Sequence, residues 1–228
     1  MIRRRDFGLA IGAAAIVGAR GNAQAQTKRV FRAANPNAVL DAQQAFATCG
    51  RHPKLRYYEM ENVDLEYVNM SSLVQAMLSV STGQSDFASL APALYLPAVA
   101  KEPNLGIIAA YNWLPRNANI VVVKPDSPIK SIADTVGKKI GIRNQGDGGI
   151  VQLQLMYSEL GLPTTNINFV AVGDSGVAGT ALANGTVDAY VTFDAQGGRI
   201  EAVGFPLRYL ALPPVYGRLS SGWFGMRK

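Results

Sequence analysis

One cysteine, Cys49, and one histidine, His52, occur in 228 residues. A lone cysteine closes no intramolecular disulfide, and one thiol plus one imidazole is too small a ligand set for a zinc centre. Charge is sparse as well. Charged residues make up 17% of the chain and hydrophobic residues 48%, a balance that belongs to a folded globular protein and excludes a disordered one. The formal net charge is +6, of which +3 sits in residues 1–25, where Arg3, Arg4, Arg5 and Arg20 face Asp6 alone. The remaining +3 is too weak for a nucleic-acid footprint, and aromatics are not interleaved with basic clusters as a base-stacking platform requires. Signatures of catalysis are missing too. There is no Gly-x-Ser-x-Gly elbow, and the glycine-rich loop at 144–149 lacks the Gly-Lys-Ser/Thr ending of a phosphate loop. Cys49 and His52 are close in sequence, but they follow a helical stretch in a turn with no orienting partner, so they read as a chance pair and not as a nucleophile and base. No catalytic residue, metal or cofactor is expected.

What the chain does have begins at its N-terminus. Arg3 to Arg5 form a charged start, Phe7 to Val17 an apolar stretch, and Ala23-Gln24-Ala25 a small-x-small cleavage pattern. The apolar stretch is shorter than the ~20 residues a spanning helix needs, so residues 1–25 read as an export signal and not as a membrane anchor. Arg4-Arg5-Asp6-Phe7-Gly8-Leu9 resembles the twin-arginine pattern, with an ordinary secretory signal as the alternative. A mature chain starting near Gln26 is expected, periplasmic and not membrane-spanning.

Strand and helix patterns then alternate. Val30 to Ala34 is β-prone and is stopped by Asn35-Pro36, since proline cannot donate to a central ladder. Ala38 to Thr48 reads as a helix. Leu65 to Val68 is a strand, and Asn69 to Ser72 can cap the helix that follows, with Leu73, Val74, Met77 and Leu78 on its apolar face. Asp86 to Leu90 is a strand ended by Pro92. Asn119 to Val123, Lys139 to Arg143 and Asn168 to Val172 are further strands. Short helices are expected over Ser131 to Val136, over Ile150 to Leu160, and from Gly173-Asp174-Ser175-Gly176 onwards. This alternation argues for parallel sheets with helices on both faces.

One unit occurs twice. Thr82-Gly83-Gln84-Ser85-Asp86-Phe87-Ala88 is echoed by Asn184-Gly185-Thr186-Val187-Asp188-Ala189-Tyr190, and each follows an Ala/Leu-rich helix. The glycine can end the helix in the left-handed conformation, and the aspartate can fix the turn into the next strand. Two such units about a hundred residues apart suggest two similar lobes.

The run Ile132-Ala133-Asp134-Thr135-Val136-Gly137-Lys138-Lys139-Ile140-Gly141-Ile142 leads into the glycine loop, the Leu160-Gly161-Leu162-Pro163 break and the second Gly-x-x-Asp unit. With Gln75-Ala76-Met77 and the first such unit, this ordered set resembles the nitrate/sulfonate/thiamine-precursor branch of periplasmic ABC solute-binding proteins, over residues 28 to 226. The resemblance implies an α/β fold of the periplasmic-binding type II class: two lobes with parallel or mixed sheets flanked by helices, joined by two crossover strands. It places lobe 1 at 26–115 and 206–228 and lobe 2 at 116–205. It implies a monomer that captures a small-molecule ligand in the interlobe cleft and delivers it to an ABC permease and its ATPase. Relatives continue beyond a Ser-Ser-Gly-aromatic run like Ser220-Ser221-Gly222-Trp223 into helices that complete lobe 1, so a shortened first lobe is expected. A binding protein for a TRAP importer or a sensor kinase, and a pyrimidine or thiamine-precursor enzyme on the same fold, are the rival readings. The export signal weighs against the enzyme.

Ligands of open α/β sheets sit beyond the carboxyl ends of the strands. Here those ends lead into Asn35, Ser71, Ser72, Ala91, the loop Gln145-Gly146-Asp147-Gly148, Asp174, Ser175, and Thr192 to Asp194. Several are helix N-termini, which favour an anionic group. Asp147 points the other way. Its carboxylate repels an oxyanion, and with Asp174 and Asp194 it can accept N–H donors from an amine, amidine or heterocycle; as helix N-caps, Asp147 and Asp174 carry no such information. Arg116 and Arg143 can supply opposite charge. Trp113 and Tyr95 can stack on a planar ligand or pack in the core.

Overall fold

The computed structural model describes residues 28–36, 57–114, 117–214, 216 and 222–228. The expected export signal, the Gln26 start, the Ala38 to Thr48 helix, Cys49, His52 and Arg116 lie outside the described residues. Pro36 sets the first boundary: β1 (Arg29–Asn35) stops just before it, in the interior of a sheet. After α1 (Tyr57–Met60) come β2 (Val63–Asn69), α2 (Leu73–Ser81), β3 (Phe87–Leu90), α3 (Pro92–Lys101) and β4 (Ile107–Leu114). The chain then enters a second unit: β5 (Asn119–Val123), a 3₁₀ turn (Ala133–Thr135), β6 (Lys139–Ile142), α4 (Gly148–Glu159), β7 (Asn168–Ala171), α5 (Ser175–Ala183), β8 (Ala189–Phe193), α6 (Asp194–Ala202) and β9 (Arg208–Tyr209). It returns to the first unit as β10 (Gly222–Arg227).

Two five-stranded sheets result, in the orders β2-β1-β3-β10-β4 and β7-β6-β8-β5-β9. In the first, β2, β1 and β3 are parallel and β10 is antiparallel to both its neighbours. In the second, β7, β6 and β8 are parallel, and β5 is antiparallel to β8 and β9. Each sheet therefore has three parallel strands followed by one antiparallel strand that enters straight after a crossing from the other lobe. Among the described residues the chain leaves the first sheet after Leu114 and is back in it from Gly222.

The second lobe shows why its strands read as continuous apolar runs. Val121, Val122 and Val123 are all fully buried. Val121 and Val123 pack with Ile140, Leu153, Met156 and Tyr157 under α4, while Val122 packs with Ala178, Leu182, Tyr190 and Ile200 under α5 and α6. Period-2 alternation feeds both faces because helices cover both. Each such valine contributes about 1.5–3 kcal/mol by leaving water. The first lobe's core joins Ala34, Ala76, Met77, Val80, Leu90, Tyr95 and Ile107.

Four expectations need correcting. The buried face of α2 is Ala76, Met77, Ser79 and Val80, not the stripe of Leu73, Val74, Met77 and Leu78; Val74 and Leu78 are exposed, and Leu73 points at the other lobe. Small Ala76 and Ser79 allow close approach to the sheet, which a scan for large apolar residues does not weigh. The boundary at 205/206 falls too early, because Arg208–Tyr209 pairs with β5, and Leu210 and Tyr216 pack in the second lobe's core. Helix α4 begins at Gly148, two residues before Ile150, because the Asp147 side chain caps it. The two Gly-x-x-Asp aspartates do more than shape turns. Asp86 accepts the Arg32 N–H at 2.7 Å and donates its own N–H to the Arg32 carbonyl at 2.9 Å, locking β3 to β1. The glycines do end their helices as read, Gly83 at φ 77° and Gly185 at φ 70°, a conformation that costs glycine nothing.

Candidate functional site

The carboxyl ends of the parallel strands in the two lobes meet. On the first lobe, Asn35 closes β1; its side-chain amide donates to the Asn69 side-chain oxygen Oδ1 at 3.0 Å, and its backbone carbonyl accepts the Met70 N–H at 2.7 Å. Ser72 caps α2, its hydroxyl accepting the Gln75 N–H at 3.2 Å. Gln75 returns the bond to Ser71, whose N–H and hydroxyl both donate to the Gln75 amide oxygen, at 3.1 and 2.8 Å. This is a capping box displaced by one residue. Ala91 is buried at the start of α3, where Pro92 fills the first helical position and needs no N–H partner.

On the second lobe the β6–α4 loop faces these groups. The Asn144 amide donates to the Ser71 carbonyl at 2.9 Å, across the lobes. A Cβ on Gly146 would lie 3.3 Å from the Ser72 Cβ, and one on Gly148 would lie 3.3 Å from Leu73 Cδ1 and 3.8 Å from the Ala91 Cβ. Ser71, Ser72 and Ala91 thus meet Gly146 and Gly148. Gln145, just before them, is exposed.

Asp147 is buried and its carboxylate is already used. Oδ1 accepts the Gly149 N–H at 2.8 Å, and Oδ2 accepts both the backbone N–H and the Nε–H of Arg143 at 3.1 Å. The Arg143 and Asp147 side chains are 9% and 7% exposed, so this is a buried ion pair. The Arg143 guanidinium also lies 5.5 Å from the centroid of the Phe193 ring, a cation–π contact. The loop therefore presents a neutralised pair, and the charge on Asp147 neither repels an anion nor recruits a cation by itself.

Tyr190 lies near two of the remaining second-lobe candidates, Asp174 and Thr192. Its phenol donates to the Gly173 carbonyl at 2.8 Å. Burial pushes this phenol far above its usual range; Asp147 and Asp174 add to the rise and Arg143 opposes it. It therefore stays a neutral donor. Asp174 stands at the N-cap position of α5 but its side chain makes no capping bond, which corrects its reading as an N-cap side chain. Ser175 adopts a left-handed φ of 49°, strained for a non-glycine residue by about 1 kcal/mol or more. The buried Gln196 holds it, donating to the Ser175 hydroxyl at 3.3 Å. Thr192 is buried on the same strand as Tyr190, and Asp194 is exposed at the start of α6.

Tyr95 belongs to the first lobe's core and does not line the cleft. Its hydroxyl donates to the Ile107 carbonyl at 3.1 Å and its ring packs edge-on to Trp223 at 6.1 Å. The Trp113 side chain lies outside the described residues. The sequence places Leu73 on the core face of its helix and does not single out Asn144 or Gln196. Asn144 had a signal, since asparagine opening a glycine-rich turn bonds its own backbone two residues on; Gln196 had none. Among the described residues no group of His, Cys, Asp or Glu is arranged to hold a metal, and no helix is long and apolar enough to cross a membrane.

The NMT1/THI5-like family model matches residues 53–216, which take in the first lobe from before β2 and the whole second sheet. The chain belongs to the NMT1/THI5-like family. No curated protein matches it. Among solved structures, it resembles the alkanesulfonate-binding protein SsuA from Xanthomonas axonopodis pv. citri bound to MOPS, with 20% identity, a TM-score of 0.63, and coverage of 87% of this chain and 65% of that one. The periplasmic aliphatic sulphonate binding protein SsuA from Escherichia coli matches with 17% identity, a TM-score of 0.62, and coverage of 87% and 65%. A Candida albicans protein described as having the generic periplasmic binding protein fold matches with 14% identity, a TM-score of 0.64, and coverage of 87% and 63%. The chain thus spans just under two thirds of each of these structures. Their shared architecture is the periplasmic binding protein fold, and this NMT1/THI5-like chain has it: two lobes of mixed sheet flanked by helices.

Proposed function

We propose that the chain is a non-catalytic solute-binding protein that captures one small polar molecule between its lobes and delivers it to an ABC-type permease and ATPase. The observation that carries this reading is the meeting of strand carboxyl ends across the cleft, with Ser71, Ser72 and Ala91 opposite Gly146 and Gly148. In an open α/β sheet that is where ligands lie. Family membership supports the reading, as do the sulfonate-binding proteins among the structural relatives. So does the chemistry of the cleft, where the ionisable groups Arg143, Asp147 and Tyr190 hold loops in place. The ligand contacts proposed are Asn35, Ser71, Ser72 and Ala91 on one side, and Gln145 to Gly148, Asp174, Ser175, Thr192 and Asp194 on the other. Export to the periplasm through the 1–25 signal is part of the same proposal.

Thermal-shift screening of the purified chain against sulfonates, nitrate, aromatic carboxylates, amines and pyrimidines tests it. A ligand at a hundredfold excess over Kd stabilises the folded state by about 2.7 kcal/mol, so one class is expected to raise the melting temperature. Flat melting curves across the panel from a well-folded sample contradict the reading, and turnover of a panel compound favours an enzyme.

A further inference from the structure

The two lobes touch through a bond whose ends are both fixed. Asn144 is anchored in its own turn, where its amide oxygen accepts the Gly146 N–H at 2.9 Å and its carbonyl accepts the Asp147 N–H at 3.0 Å. Its amide nitrogen is left to reach the other lobe, donating to the Ser71 carbonyl at 2.9 Å. Ser71 is anchored too, by its two bonds to Gln75 on α2. Neither end has to be ordered when the lobes meet, so the bond forms at little entropic cost. Alongside it, Gly146 and Gly148 lie so close to Ser72, Leu73 and Ala91 that a methyl group at either would sit at 3.3 Å from its nearest neighbour. The hydrogen bond and the two bare glycines form one continuous contact.

We infer that Asn144 is an interlobe latch: its bond to the Ser71 carbonyl, seated by the absence of side chains at 146 and 148, holds the lobes closed without a ligand. This deepens the capture reading and rests on it for its consequence. Apparent affinity falls in proportion as the binding-competent fraction falls, so a latch that fills the closed state in advance strengthens binding without touching the ligand. Asn144 is a positioning residue in this role. One neutral hydrogen bond shifts the closed-to-open ratio by roughly tenfold at most, enough to move a balanced equilibrium and too little to lock it.

Two substitutions separate the latch from the turn. Asn144→Asp keeps the oxygen that accepts the Gly146 N–H, but turns a second acceptor toward the Ser71 carbonyl. Gly146→Ala keeps the Asn144 amide and inserts a methyl group 3.3 Å from the Ser72 Cβ, which is no flexible chain end, and 3.4 Å from the Asn144 Oδ1, an ordinary contact. The readout is the interlobe distance distribution in ligand-free full-length protein, measured by pulsed electron paramagnetic resonance. Spin labels go on Lys101→Cys and Ser158→Cys, exposed sites at the far ends of α3 and α4, in a Cys49→Ser background. The parent is expected to show one dominant short distance, and both variants a second, longer population. A shift in Asn144→Asp alone also supports the latch and assigns it to the hydrogen bond. A parent that is mainly open, a shift in Gly146→Ala alone, or two variants with the parent's distribution overturns it; should Asn144→Asp fail to fold, an unchanged Gly146→Ala distribution overturns it too. No ligand is used. A chain that shows the latch but binds nothing in the panel therefore defeats the capture reading alone, and one that binds while both variants keep the parent's distances defeats the latch alone.

Discussion

Asp188 and Lys139 bond each other twice: the Asp188 carboxylate accepts the Lys139 N–H at 2.8 Å, and the Asp188 N–H donates to the Lys139 carbonyl at 2.8 Å. Asp86 and Arg32 do the same in the other lobe. The repeated Gly-x-x-Asp unit is a clasp that locks the third parallel strand of each lobe to the first. Asp86→Asn and Asp188→Asn are each expected to lower stability by about 1 kcal/mol, since a charge-assisted bond weakens while the backbone bond stays. Urea denaturation of the two variants checks this, and similar losses in the two lobes are expected.

The Arg143–Asp147 pair is a stronger test, because both side chains are buried. Asp147→Ala uncaps α4 and removes the carboxylate that faces the buried Arg143 guanidinium. A loss of about 3–5 kcal/mol is expected, against a much smaller loss when Arg143→Met and Asp147→Leu are combined. A double-variant loss equal to the sum of the losses in Arg143→Met and Asp147→Leu made singly would show that the pair is not coupled.

How much of this was legible depends on the signal. Continuous β-branched runs such as Asn119–Val123 and the Gly-x-x-Asp repeat point to strands, helices and two lobes, because both act within a few residues. Helix α3 is not legible in the sequence, where Pro92 reads only as the end of a strand; Pro92 takes the first helical position, and Pro97 is tolerated inside a ten-residue helix. The candidate site was legible as a set of strand ends. The partners that decide its charge were not: that Arg143 neutralises Asp147, and that Asn144 reaches Ser71, are facts of tertiary approach. Likewise nothing local distinguishes Tyr95, bonded to Ile107 in the core, from an aromatic that lines a cleft.

Gly141 links the core to the site. A Cβ there would stand 2.8 Å from Cδ2 of the Tyr190 ring and about as tightly against Val187 and Val172. Gly141→Ala is expected to cost about 1–3 kcal/mol by overpacking. It should also weaken ligand binding, by displacing the phenol from the Gly173 carbonyl. Denaturation and binding assays on the one variant check both.

Alkaline pH is expected to unfold the chain through its tyrosines. Burial raises the phenols of Tyr67, Tyr157, Tyr190 and Tyr216 above the ordinary value of 10. Folding thus favours their neutral form. The stability they contribute is fully present below pH 10 and is lost as pH rises beyond it toward their folded values. Circular dichroism and phenolate absorbance followed together from pH 8 upward should show these four ionising only as the fold is lost. Their ionisation in a still-folded chain would contradict the burial described here.

Isothermal titration of the full chain with the compound that gives the largest thermal shift tests ligand capture between the lobes most directly. The account predicts one molecule bound per chain, with a negative heat-capacity change as the ligand's own apolar surface is buried between the lobes. Weak binding at several sites, or no heat from any compound in a folded sample, would contradict it.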